Sequence, residues 1–93
     1  MFRLWAKVFK DNHMLNNMIV ENSYKEMTRT KKIFAALDEV CLKFDLGKPI
    51  WLDSNISEFK KISKTRFNSD SFIESIDFDY LEIHIIEEDE QWQ

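Results

Sequence analysis

Between residues 28 and 45 the apolar side chains Ile33, Phe34, Leu37, Val40, Cys41 and Phe44 follow one another at steps of 1, 3, 3, 1 and 3. That spacing places all six on one face of an α-helix. A helix over 28–45 extends roughly 27 Å, and its stripe must be buried against another layer. The chain can therefore fold only around an apolar surface of matching length.

The opening residues supply one. Phe2, Leu4, Ala6 and Val8 alternate with Arg3, Trp5, Lys7 and Phe9, a period-2 pattern that predicts a strand roughly 26 Å long. Asp11, Asn12 and His13 tolerate turn conformations, and the apolar stretch Met14 to Glu21 predicts the return strand of a hairpin. The Asn16-Asn17 pair leaves its register open. The helix can start at Ser23, which has Glu26 at capping-box spacing, or at Thr28. Gly47, the only glycine, is expected to be the left-handed residue that ends it, and Pro49, the only proline, to force Lys48 into extended geometry.

Further on, Ile50 to Leu52 reads as a short strand. Asp53, Ser54 or Asn55 can cap a short helix carrying Ile56, Phe59 and Ile62. Lys64 to Phe67 reads as another short strand, Asn68 to Ser71 as a turn, and Tyr80 to Ile86 as a last strand. Residues 87–93 are expected to form an acidic, frayed tail. The predicted architecture is α+β: one domain over 1–93, a mainly antiparallel sheet, and one long amphipathic helix packed on one face.

With 93 residues, such a domain buries somewhat more than about 60% of its unfolded surface. Apolar residues at 44% and charged residues at 32% are those of a folded chain, so no staple is needed. The lone Cys41 permits no intramolecular disulfide and no Cys-rich zinc site, which favours a reducing compartment. Arg3, Lys7 and Lys10 interrupt any signal-peptide core, and the longest apolar run, Ile33 to Leu37, is far short of the roughly 20 residues of a membrane span. A cytoplasmic protein without membrane contact is expected. The net charge of −4 hides an asymmetry: residues 1–66 carry 13 basic and 8 acidic side chains, whereas residues 67–93 carry 9 acidic and none basic. Pairing between the two parts is the simpler expectation; two faces of opposite sign is the other.

The blocks FRLWAKVFK, DLGKPIWLDSNISEFKK, KTRF and DSFIESIDFDYLEIHIIEED, which span most of the chain, resemble a family of small uncharacterised proteins from clostridial and related Firmicutes genomes. The resemblance implies a bacterial, cytoplasmic, stand-alone domain. It implies no activity, ligand or partner.

Chemistry is constrained first by exclusion. One glycine cannot build a Walker A loop, a GxGxxG turn or a GxSxG elbow, so nucleotide enzymes and hydrolases of those classes are ruled out. His13 and His84 lack HExxH spacing, and Cys41 lies on the apolar helix stripe, where a thiol is structural rather than nucleophilic. No catalytic residue and no cofactor are assigned. Three candidate sites follow. Asp77, Asp79, Glu82 and His84 could bind a divalent metal or exchange protons, unless they are merely the solvent face of a strand. Lys60, Lys61, Lys64 and Arg66, joined by Arg29, Lys31 and Lys32 on the exposed side of the helix and with Trp51 and Phe67 nearby, could hold phosphates and stack bases. A pI near 5.1 disfavours that reading against a plain solvated face. Trp5 and Phe9 lie on the strand face that the long helix does not cover, so they, with Trp51, form a candidate partner-binding surface unless another part of the chain shields them. The leading expectation is a non-enzymatic interaction or accessory protein, a homodimer or the binder of another protein. A nucleic-acid-associated regulator comes second and a small metal-dependent enzyme third.

Overall fold

The computed structural model describes residues 1–88. The alternating N-terminal segment forms β1 (Phe2–Lys10) and returns as β2 (His13–Asn22). Asp11 and Asn12 both take positive φ, 52° and 67°, as a two-residue hairpin turn matching the twist of its strands requires. Two helices follow, α1 (Arg29–Phe44) and α2 (Asp53–Ile62), then β3 (Lys64–Phe67), a 3₁₀ turn over Ser69–Ser71 and β4 (Tyr80–Glu87). The strands make one antiparallel sheet in the order β2-β1-β4-β3, an α+β fold as expected.

One face of that sheet is the core. Phe2, Leu4, Ala6 and Val8 of β1, Val20 of β2, Phe67 of β3 and Leu81, Ile83 and Ile85 of β4 are buried in a single cluster with Ile33, Leu37, Val40 and Cys41 of α1 and Phe59 of α2. Each large apolar side chain removed from water contributes about 1.5–3 kcal/mol, so this continuous cluster is the main source of stability. The opposing layer is shared by both helices rather than built from one long helix. Trp51, on the connection between them, stands edge-on to Phe34, Phe59 and Phe67 at ring distances of 6.0, 5.5 and 5.0 Å. The irregular segment before β4 joins the same side through Phe72 and Phe78.

Of the two proposed helix starts, Thr28 is the cap: its side chain accepts the Lys31 N–H. Three local expectations are corrected. The left-handed residue ending α1 is Asp45, with φ 58° and ψ 51° and its N–H on the Cys41 and Leu42 carbonyls, whereas Gly47 has no positive φ. Residues 50–52 form no strand, because their backbone donors are taken elsewhere: the Ile50 N–H bonds to the Ser71 carbonyl and the Leu52 N–H to the Asn55 side chain. Lys32 is buried rather than on the exposed side of α1. Of the acidic end, Glu87 belongs to β4 and Glu88 pairs with Arg29 at 2.8 Å; the remainder of the expected tail, 89–93, lies outside the described residues.

A buried polar knot fastens α2 to the sheet. Asn55, 5% exposed, donates to Thr65 Oγ1 and to the Arg66 carbonyl, both at 2.9 Å, and accepts the Leu52 N–H. Thr65 Oγ1 in turn donates a hydrogen bond to Glu58 Oε1 at 2.7 Å. Asn55→Ala removes the side-chain partner of the Leu52 N–H and the Arg66 carbonyl and is expected to destabilise the fold by about 2 kcal/mol, read from urea denaturation. Gly47→Ala is expected to shift stability by less than about 0.5 kcal/mol, since a Cβ there meets only Glu74 Oε1 at an ordinary 3.5 Å. A left-handed residue would lose about 1–2 kcal/mol in the same measurement.

Candidate functional site

The second face of the sheet has no described element over it. Antiparallel pairing stacks its outward side chains in four rows across the strands. Glu21, Arg3 and Glu87 make the first, Ile19, Trp5, His84 and Lys64 the second, Asn17, Lys7, Glu82 and Arg66 the third, and Met14, Phe9 and Tyr80 the last. Period-2 alternation in β1 and β4 sends these residues outward for the same reason that it sends their neighbours into the core.

The third row holds the face together. Glu82 is only 4% exposed, with Lys7 Nζ 2.9 Å from one carboxylate oxygen and Arg66 Nε 3.0 Å from the other. Burial by itself raises the Glu82 pKa, but the hydrogen bonds and charges of Lys7 and Arg66 outweigh it and hold the carboxyl below its ordinary 4.5. Both cations also lie on aromatic rings, Lys7 Nζ 4.0 Å from the Trp5 centroid and Arg66 4.6 Å from that of Tyr80, which stacks on Phe9 at 5.1 Å. Trp5 Nε1 donates to Asn17 Oδ1. His84, between Trp5 and Lys64, is lowered from 6.5 first by burial and then by Lys64 and Lys7, with Glu82 opposing.

The candidate residues separate accordingly. Of the acidic set, Glu82 and His84 share the open face, while Asp79 accepts the Asp11 N–H at 2.8 Å beneath the hairpin turn and Asp77 is exposed ahead of β4. Among the described residues no group of three or more His, Cys, Asp or Glu side chains is arranged to hold a metal ion. Of the basic set, Lys64 and Arg66 stand on the open face, but Lys60 and Lys61 project from α2 in the opposite layer, so the four do not form one patch. Arg29 is engaged by Glu88 and Ser63. Trp5 and Phe9 share the open face as expected; Trp51 lies on the other side of the sheet. There it lines a groove of about 240 Å³ between α1 and α2, together with Ile33, Phe34, Ile56 and Phe59, and among the described residues its buried Nε1 has no hydrogen-bond partner. Cys41 is buried in the core, which pushes its pKa up to about 11 with help from Asp38; such a thiol is unreactive.

Lys7, Arg3 and Tyr80 are the members of this face that a search for catalytic or basic motifs passes over. Their signal was the alternation itself, which sets them beside Trp5 and Phe9. No helix among the described residues is long and apolar enough to cross a membrane. Comparison with protein families, curated proteins and solved structures finds no match.

Two acid-induced losses of stability follow. A group whose pKa is lowered by folding binds fewer protons folded than unfolded, so stability rises with pH across its window. His84 should cost stability as pH falls below 6.5, and Glu82 as pH falls through and below 4.5. In urea titrations at successive pH values, His84→Gln should remove the upper limb and Glu82→Gln the lower one. Glu82→Ala, which strands Lys7, should destabilise by about 2 kcal/mol at neutral pH, less than a fully buried pair would lose because Arg66 remains in water.

Proposed function

We propose that this chain is a small non-catalytic interaction protein that docks a protein partner on the open sheet face around Trp5, Phe9 and Tyr80. One observation carries the reading: Glu82, Lys7 and Arg66 of that face are spent on one another, as Arg3 is on Glu21 and Glu87, while three aromatic rings, with Met14 and Ile19 at their margin, stand where no described element covers them. Glu82, held by Lys7 and Arg66, is a poor proton donor, base or ligand, because each role would first break two charge-assisted bonds. Aromatic residues and arginine in a flat, preorganised array are instead the side chains that dominate protein interfaces. The lone, buried Cys41 and the resemblance noted above support extending this proposal to the bacterial cytoplasm.

A nucleic-acid reading is supported by Lys7, Lys64 and Arg66 standing among Trp5 and Tyr80. Against it, Lys7 and Arg66 already cover ring faces that a base would use, and Glu82 cancels part of their charge. Affinity capture from the source cell, with protein and nucleic acid both analysed, separates the two. A stoichiometric protein retained by the wild type and lost by Trp5→Ser/Phe9→Ser, with melting temperature changed by only a few degrees, is the expected result. Co-purifying nucleic acid, with salt-dependent heparin retention lost in Arg66→Ala, would replace it.

A further inference from the structure

The two edges of the sheet are not alike. At one, β3 is four residues long, carries Lys64 and Arg66, and has its Arg66 carbonyl already taken by Asn55 Nδ2. Short length, cations and a covering helix are the ordinary means of keeping an edge from pairing with another chain. At the other, β2 is ten residues long with no lysine, arginine or proline, and Glu21 is its one carboxylate. Among the described residues nothing pairs with its outer side. Met14, Leu15 and Ile19 along it are 47%, 57% and 46% exposed.

We infer that β2 pairs antiparallel with β2 of a second copy of this chain about a two-fold axis at Ile19, joining two four-stranded sheets into one of eight strands. Because β3 is closed to pairing, β2 cannot recruit it head to tail, and an edge that meets only its own kind closes as a symmetric dimer. The axis follows from matching side chains, since residues opposite one another in an antiparallel pair share a face. With Ile19 opposite itself, Asn17 meets Glu21 on the open face, while Met18 meets Val20 and Asn16 meets Asn22 on the core face. Moving the axis to Met18 sets Ile19 against Asn17 and Val20 against Asn16. An axis at Val20 sets Ile19 against Glu21, and one at Asn17 sets Met18 against Asn16. Only the Ile19 axis sets apolar against apolar and polar against polar throughout. Asn17 suits its place there, because its Oδ1 takes the Trp5 N–H and its Nδ2 is left to donate to the second copy's Glu21.

Seven residues of strand, 16–22, make a contact smaller than the roughly 800 Å² per partner of a standard interface, so the dimer is expected to form in a concentration-dependent way. The inference does not depend on the partner reading above, since the edge can pair whether or not the open face binds anything. Sedimentation velocity from about 1 μM to about 1 mM should show a monomer passing to a dimer. Ile19→Lys, at an exposed position, should weaken the dimer at least tenfold with melting unchanged within a few degrees, while Tyr80→Ser, at the far end of the open face, should leave it within twofold. Ile19→Cys should form a disulfide-linked dimer under mild oxidation far faster than Ile73→Cys, Ile73 being 90% exposed and away from the edge; buried Cys41 does not compete. A monomer at every concentration would overturn the inference. So would a dimer that Ile19→Lys does not weaken, one that Tyr80→Ser abolishes, or equal rates of cross-linking in the two cysteine variants.

Discussion

β1 is the strand on which the rest of the structure depends. It lies inside the sheet, paired with β2 on one side and β4 on the other, and from Phe2 to Phe9 its side chains divide cleanly: Phe2, Leu4, Ala6 and Val8 are buried, whereas Arg3, Trp5, Lys7 and Phe9 are part-exposed. Because the period of a strand is two, a slip of one residue would exchange these sets and place Arg3 and Lys7 against the helices. The hydrophobic effect thus selects the register, and the register then decides which residues can meet on the open face. Fold and site are two readings of one alternation.

Charge follows the same geometry. The basic first two-thirds and the acidic last third are not separate faces: Lys7 and Arg66 reach Glu82, Arg3 reaches Glu87, and Arg29 reaches Glu88. Antiparallel pairing of β4 between β1 and β3 brings the acidic strand between two basic ones. Exposed pairs of this kind contribute little individually. The Glu82 row differs, because a buried carboxylate must be fully partnered to stay charged, and its partners are thereby withdrawn from other chemistry.

That withdrawal bears on function. A surface whose carboxylate and cations are mutually engaged, and whose rings are already braced by those cations, is rigid and poorly suited to proton transfer or ligation. Rigid aromatic anchors with little conformational entropy left to lose are favourable for docking a protein. The proposed β2 pairing would set two such faces side by side in one continuous sheet, so that a partner could be met twice by the same surface.

Much of the fold was legible in the residues. The helix stripe from Ile33 to Phe44, the alternation of β1, the hairpin, the short β3 and the last strand follow from local periodicity, which the backbone repeats impose directly; of the stripe, Phe34 departs from expectation, left 49% exposed against Trp51. The end of α1 was misread because glycine is the cheapest left-handed residue but not a necessary one; Asp45 took the position, and Gly47 adopted an ordinary conformation. The cap of α2 is Leu52 and not Asp53, Ser54 or Asn55, all of which lie inside the helix; Asn55 is instead the buried link to β3, which no local pattern shows, since its partners Thr65 and Arg66 are brought to it only by folding. For the candidate site, the sequence by itself determined that Trp5 and Phe9 share a face and that Glu82 and His84 share another run of alternation, because neighbours two apart on a strand must point the same way. Only the tertiary structure decided that these two runs lie side by side, that Lys7 and Arg66 clamp Glu82 between them, and that Trp51, Lys60 and Lys61 fall in the opposite layer. Strand order is set by long-range packing of the whole core, and no local pattern carries it.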